Sequence, residues 1–139
     1  MMKFVNVYTP GYRPDARRLL YKLLGEREPH QCISHKRMPT LEAHVKFVDS
    51  QPYAEWYVIE VHEVQVGAIY LTHDNEIGIG ILQAHRGKGY ANEAILRLKQ
   101  EHFGERLLAN VAPGNAESAA LFKNLGFKCI QHTYALDPS

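Results

Sequence analysis

The sequence predicts a single α/β domain of six strands and four helices, and three observations carry that prediction. Segments of period-2 alternation and segments of helical spacing follow one another as strand, two helices, three strands, helix, strand, helix, strand. A glycine-rich, basic turn, Arg86, Gly87, Lys88, Gly89, Tyr90, Ala91, joins an apolar run at Ile77–Leu82 to a helical one. The 139 residues suffice for one core that buries about two-thirds of the unfolded chain's surface, and no repeat or linker divides residues 1–139.

Lys3–Tyr8 alternates and is rich in β-formers, so it reads as the first strand, closed by Pro10 and Gly11. From Pro14, Ala16, Leu19, Leu20, Leu23 and Leu24 recur at helical spacing up to a stop at Gly25. Glu26–Pro39 has no period. Thr40 is a good N-cap for a second helix, with Leu41, His44, Val45 and Val48 as its inner face and an end near Ser50. Trp56–Val61 and Val64–Leu71 read as two strands of a meander with His62 and Glu63 at the tight turn, and His73, Asp74 and Asn75 lead into a fourth strand opened by Glu76. The run from Gly89 to about His102 sets Ala91, Ala94, Ile95 and Leu98 on one helical face. Arg106–Val111 is a fifth strand. Asn115 caps a fourth helix that runs to about Asn124 and ends at Gly126, and Lys128–Ala135 is the last strand.

The turn at residues 86–91 has a direct chemical meaning. The first N–H groups of a helix lack partners within it and carry roughly half a unit of positive charge. Gly87 and Gly89 remove side chains that would hold a phosphate away from that backbone, and Arg86 and Lys88 add full charges, so a pyrophosphate is the natural guest. A Walker loop is excluded twice, because Leu82 stands where its first Gly belongs and Gly89 where its Ser or Thr belongs. The dinucleotide fingerprint fails at Asn92 when started at Gly87 and at Gln83 when started at Gly78.

What remains resembles the acyl-CoA pyrophosphate loop of the GCN5-related N-acetyltransferase (GNAT) superfamily, Gln or Arg, two residues, Gly, one residue, Gly or Ala, filled here by Arg86, Gly89 and Ala91. Downstream, the segment from Asn110 through Pro113, Gly114, Asn115, Ser118, Leu121, Phe122, Leu125, Gly126 and Phe127 looks like the family's second signature. The resemblance covers the C-terminal half. It implies the acyl-CoA N-acyltransferase fold, a mixed, mostly antiparallel sheet of about six to seven strands flanked by four helices, with acetyl-CoA as co-substrate. It also implies cofactor contacts at Leu82, Arg86, Gly87, Lys88, Gly89, Tyr90, Ala91, Asn115, Ser118 and Phe122, although Asn115 is equally explained as an N-cap.

In the fourth strand Ile77, Ile79 and Ile81 share one face while Glu76, Gly78, Gly80 and Leu82 share the other, which is nearly bare. Two explanations stand: a helix packs close against the glycines, or the strip floors a cleft in which a pantetheine arm lies with Glu76 at the acceptor end. The resemblance makes Glu76 the candidate base, since an alkylamine with a pKa of about 10 must lose a proton before it attacks a thioester. The departure from the family is Phe122, where many members place the tyrosine that protonates the leaving thiolate. Ser118 and Tyr134 are the candidate substitutes. In the family the first two helices and their loop form a wall of the acceptor site, which points to Ser34 and His35 as substrate contacts.

The resemblance implies an N-acetyltransferase acting on a primary amine of a small molecule, with an amino sugar ranked first and a protein or peptide amine second. A non-catalytic acyl-CoA-binding module is the alternative of a different class. Sixteen basic against fifteen acidic residues argue against a nucleic-acid partner. His30, Cys32 and His35 lack a fourth ligand nearby, so no metal is expected. Cys32 and Cys129 make no disulfide framework, Met1–Val7 lacks a signal peptide's apolar run, and no stretch approaches the roughly 20 apolar residues that span a bilayer. A soluble cytoplasmic protein without a membrane partner is expected, with exposed strand edges that allow a homodimer.

Overall fold

A computed structural model describes residues 1–26 and 38–138. Five strands form one sheet in chain order: β1 (Met2–Asn6), β2 (Glu55–Val61), β3 (Val64–Leu71), β4 (Glu76–Ile81) and β5 (Leu108–Ala109). Neighbours are antiparallel except β4 and β5, which run parallel because helix α3 (Tyr90–Glu101) carries the chain back between them. Helices α1 (Arg13–Gly25) and α2 (Leu41–Asp49) connect β1 to β2, and α4 (Ala116–Asn124) follows β5.

Local chemistry sets the helix starts. Pro14 occupies the first turn of α1, where its missing N–H is no loss. Thr40 Oγ1 accepts from Ala43 N at 3.1 Å, and Asn115 Oδ1 accepts from Ser118 N at 3.2 Å, so both residues act as the expected N-caps.

The sheet separates two cores. Ile77 and Ile81 of β4 face Ala94, Ile95 and Leu98 of α3 and Phe122 of α4. On the other side Trp56, Val58, Ala68 and Leu82 meet Ala16, Leu19 and Leu20 of α1 and Val48 of α2. The two-faced β4 read from alternation is therefore present. Ile95 and Leu98 are fully buried and contribute about 1.5–3 kcal/mol each, which fixes α3, and with it the α3 N-terminus, against the end of β4. Leu23 and Leu24 of α1 are only half-buried, and of the expected inner face of α2 only His44 and Val48 are buried, with Leu41 exposed.

Two strand expectations are corrected. The sheet holds five strands among the described residues, not six to seven, because residues 128–135 form no strand and are exposed throughout. β-propensity becomes a strand only beside a partner, and β5, two residues long, offers too short a ladder. The fifth strand, read over Arg106–Val111, is limited to Leu108–Ala109. No described helix is long and apolar enough to cross a membrane.

Candidate active site

Strands β4 and β5 pair only at Glu76↔Leu108 and Ile77↔Ala109 and then part. Beside this split lies a cavity of about 790 Å³. It is lined on one side by the start of α3 and by α4, and on the other by α1, α2, β2 and β3.

At the α3 end, Gly87 and Gly89 have φ of +79° and +80°, a left-handed backbone that costs a residue with a Cβ about 1–2 kcal/mol. A Cβ at either position would meet nothing within 4 Å, so conformation rather than crowding selects glycine there. Gly89 is the N-cap of α3 without any side-chain cap, and the first helical hydrogen bond is Glu93 N to Gly89 O at 3.1 Å. The amides of Tyr90, Ala91 and Asn92 thus open the helix with no acceptor inside it. Arg86 is anchored beside them, its Nε donating to Ile81 O at 3.2 Å. Free amides, open space in front of the glycines and a fixed guanidinium suit a diphosphate.

In the middle, Glu76 is held by two neutral donors. Asn110 Nδ2 donates to Oε2 at 2.6 Å and Thr72 Oγ1 to Oε1 at 3.4 Å, while Glu76 N donates back to Thr72 Oγ1 at 3.0 Å. A carboxylate has about four lone-pair positions, so two donors leave acceptor capacity for an incoming amine. The glycine face of β4 is not bare. A Cβ on Gly78 would fall 1.9 Å from Tyr70 Cζ, and one on Gly80 would lie 3.5 Å from Leu23. Close packing therefore explains Gly78, but by Tyr70 of the neighbouring strand β3 rather than by the expected helix, which reaches Gly80 through Leu23 of α1; both glycines also line the cavity.

At the far end β2 and β3 supply Trp56 and Tyr70, the segment before β2 supplies Tyr53, and α2 supplies Phe47 and His44. His44 is buried, and that burial pulls its pKa below the ordinary histidine value against a hydrogen bond to the Arg17 backbone. Its Nε2 has no hydrogen-bond partner among the described residues.

Of the residues singled out in the sequence, Glu76, Arg86, Gly87, Gly89, Tyr90 and Ala91 line this cavity, and so do Asn115, Ser118 and Phe122. Phe122 also belongs to the core, edge-on to Phe127 at 5.1 Å. Lys88 is exposed and outside the lining. Leu82 is a correction: its side chain is in the α1/α2 core and its N–H is already bonded to Val66 O at 2.8 Å. Tyr134 is a second correction, 90% exposed on the irregular C-terminal segment and apart from the cavity. Ser34, His35, His30 and Cys32 lie outside the described residues. Sequence reasoning missed Thr72 and Asn110 as partners of Glu76 and the ring cluster at the far end. The signal for the cluster is present as the aromatic residues Tyr53, Trp56 and Tyr70 flanking one hairpin.

The acetyltransferase (GNAT) domain model matches residues 10–128 of this chain. An acetyltransferase from Thermus thermophilus superposes with a TM-score of 0.70 at 19% identity, covering 94% of this chain and 89% of that one. An aminoglycoside N-acetyltransferase in complex with CoA gives 0.71 at 14% identity over 99% and 95%. The ribosomal L7/L12 α-N-protein acetyltransferase in complex with CoA gives 0.65 at 15% identity over 88% and 77%. At these identities the likeness is one of fold. No curated protein gives a match. With the family model spanning residues 10–128, on a sheet that splits between β4 and β5 beside an uncapped helix start, this chain belongs to the GNAT acetyltransferase family.

Proposed function

We propose that this acetyltransferase moves the acetyl group of acetyl-CoA to the primary amine of a small molecule by direct attack. The observation that carries the reading is the uncapped N-terminus of α3, behind two glycines in left-handed backbone, opening onto the same cavity as the fixed Glu76 carboxylate. Residues 86–91 bind the diphosphate through main-chain amides, with Arg86 and Lys88 adding charge. The pantetheine arm lies along the edge of β4 beyond Ile77, where pairing with β5 has ended and extended amides find backbone partners. Asn115, Ser118 and Phe122 form the opposite side.

The amine nitrogen bonds to the thioester carbonyl carbon as the carbon–sulfur bond breaks. Glu76 takes the amine proton, directly or through a water, and a β4 amide stabilises the developing oxyanion. The thiolate leaves as such, a free thiol having a pKa of about 8.5, or takes a proton at Ser118, the hydroxyl that lines the cavity one helix turn before Phe122. A cytoplasmic location belongs to the same reading, since the exposed thiol of Cys129 suits a reducing compartment.

Thiol release from acetyl-CoA in the presence of an amine panel tests the proposal. Turnover with small amines supports it. Preference for peptide amines would move the acceptor to proteins, and calorimetric acetyl-CoA binding without turnover of any amine would leave a binding module.

A further inference from the structure

The glycine-rich turn is held from behind as well as from within. Between the end of β4 and the start of α3 the chain makes one 3-10 turn, Gln83–His85, whose N-cap, Leu82, provides no side-chain cap. The first N–H groups of such a turn find no carbonyl inside it. Here the N–H of Gln83 donates to Glu26 Oε1 at 2.7 Å, a carboxylate 57 residues earlier in the chain. Glu26 is the C-cap of α1, and its own N–H bonds to Lys22 O and Leu23 O, both at 3.2 Å, so the carboxylate is carried on the fixed end of a helix. Leu23, three residues back, lies 3.5 Å from where Gly80 would carry a Cβ, which sets that helix end alongside the end of β4.

This bond holds the approach to the anion site. His85 N donates to Leu82 O at 2.9 Å, Arg86 N to Gln83 O at 3.3 Å and Arg86 Nε to Ile81 O at 3.2 Å, so residues 81–86 close on themselves as a unit. Among the described residues, the hydrogen bond from a side chain outside the unit to residues 82–86 is that of Glu26. After Arg86 the chain passes through Gly87 and Gly89, whose backbone freedom makes the turn costly to order. A unit fixed at its start presents Arg86 and the α3 amides in one arrangement before a ligand arrives, and such preorganisation is read as affinity. The charge on Glu26 makes the tie roughly twice as strong as one between neutral groups. Neither Glu26 nor Gln83 lines the cavity, so the effect reaches a ligand through the turn and not by contact.

We propose that Glu26 is a positioning residue for acetyl-CoA: from the end of α1 it caps the turn that opens the diphosphate site, and so sets cofactor affinity without touching the cofactor. This rests on the acetyl-transfer reading above and adds a residue to its cofactor site.

The test is the Kd of acetyl-CoA, measured by calorimetry on the full chain. Glu26→Ala is expected to raise it about tenfold, and Glu26→Gln, which keeps an acceptor oxygen at the same reach, by no more than about threefold. Gln83→Pro gives an independent check. Leu82 has φ −56° and ψ 141°, a conformation that suits the residue before a proline, and Gln83 is the first residue of its turn, so the ring fits the backbone, removes the N–H and fixes φ itself. With the donor gone Glu26 has nothing to cap, and the Kd values of Gln83→Pro and of the Glu26→Ala, Gln83→Pro double variant are expected to agree within about twofold. An unchanged Kd in Glu26→Ala, even with a lowered melting temperature, marks a purely structural bond and overturns the inference. A tenfold loss that persists in the Gln83→Pro background overturns it too, and both results leave acetyl transfer standing. A wild-type chain that binds no acetyl-CoA removes the acetyl-transfer reading and the inference with it.

Discussion

Asn110 Nδ2 donates to Glu76 Oε2 over 2.6 Å at the point where β4 and β5 cease to pair. The side-chain amide ties the two strands together just after their last backbone pair and holds one oxygen of the carboxylate. If Glu76 takes the amine proton, Glu76→Gln lowers kcat by about 10²–10⁴-fold while the Kd of acetyl-CoA changes by no more than about twofold. Asn110→Ala, which removes this hydrogen bond and keeps the base, is expected to cost about tenfold in kcat. Steady-state kinetics with calorimetry separates the two. A Glu76→Gln enzyme with wild-type kcat across the pH range would remove the base from the mechanism.

Gly89 combines a left-handed φ of +80° with the N-cap position of α3. An aspartate there strains the backbone by about 1–2 kcal/mol and sets a negative charge in front of the free amides. Gly89→Asp is therefore expected to weaken acetyl-CoA binding by about 30-fold or more, and Gly89→Ala by less, with thermal stability lowered only by the backbone strain in the alanine variant. Unaltered binding in the aspartate variant would mean that the turn does not hold the diphosphate.

Much of this architecture is legible residue by residue. Ala94, Ile95 and Leu98 reveal α3 by spacing, and Gly87 and Gly89 mark the turn by their type. The aromatic residues of the ring cluster are visible in the sequence, but the pairing of Trp56 with Tyr70 is hidden by one irregularity. A straight ladder continued from Val61↔Val64 would set Trp56 opposite Ile69, but a bulge at Ile59/Glu60 skips Val66 and sets Trp56 opposite Tyr70. That slip changes which β3 side chains face the α1/α2 side, and no local pattern announces it. Asn110 and Glu76 stand 34 residues apart, so their contact follows from topology alone. Residues 128–135 show the converse error, in which β-forming composition suggests a strand that has no partner to pair it.

The β2–β3 turn offers a clean stability test. His62 and Glu63 have φ of +51° and +66°, the pair of left-handed conformations that a two-residue hairpin requires and that neither residue prefers. Glu63→Gly relieves the second and is expected to raise stability by about 1 kcal/mol, read as a higher urea midpoint at unchanged m-value. A lower midpoint would show that Glu63 makes a contact that outweighs its strain.

His102, the C-cap of α3, ties that helix to the start of β2. Its Nε2 lies 2.8 Å from Glu55 Oε2 and its Nδ1 2.5 Å from Glu105 Oε2, with the side chain 15% exposed. Burial lowers its pKa, but hydrogen bonds and charge from Glu105 and Glu55 together outweigh that effect, and the net shift is upward from 6.5. A histidine raised in the folded state contributes stability that is fully present below the unfolded value and is lost as pH rises through the folded one. Charged hydrogen bonds of this kind contribute about 1.5–3 kcal/mol. His102→Gln is therefore expected to lower the urea midpoint at pH ~6 and to differ less from wild type at pH ~9. His44, whose pKa is lowered by burial, has the opposite sign and destabilises the fold as pH drops below 6.5. Because wild type and variant both keep His44, its effect cancels in the difference. A gap that is the same at both pH values would mean that His102 is neutral in the folded protein.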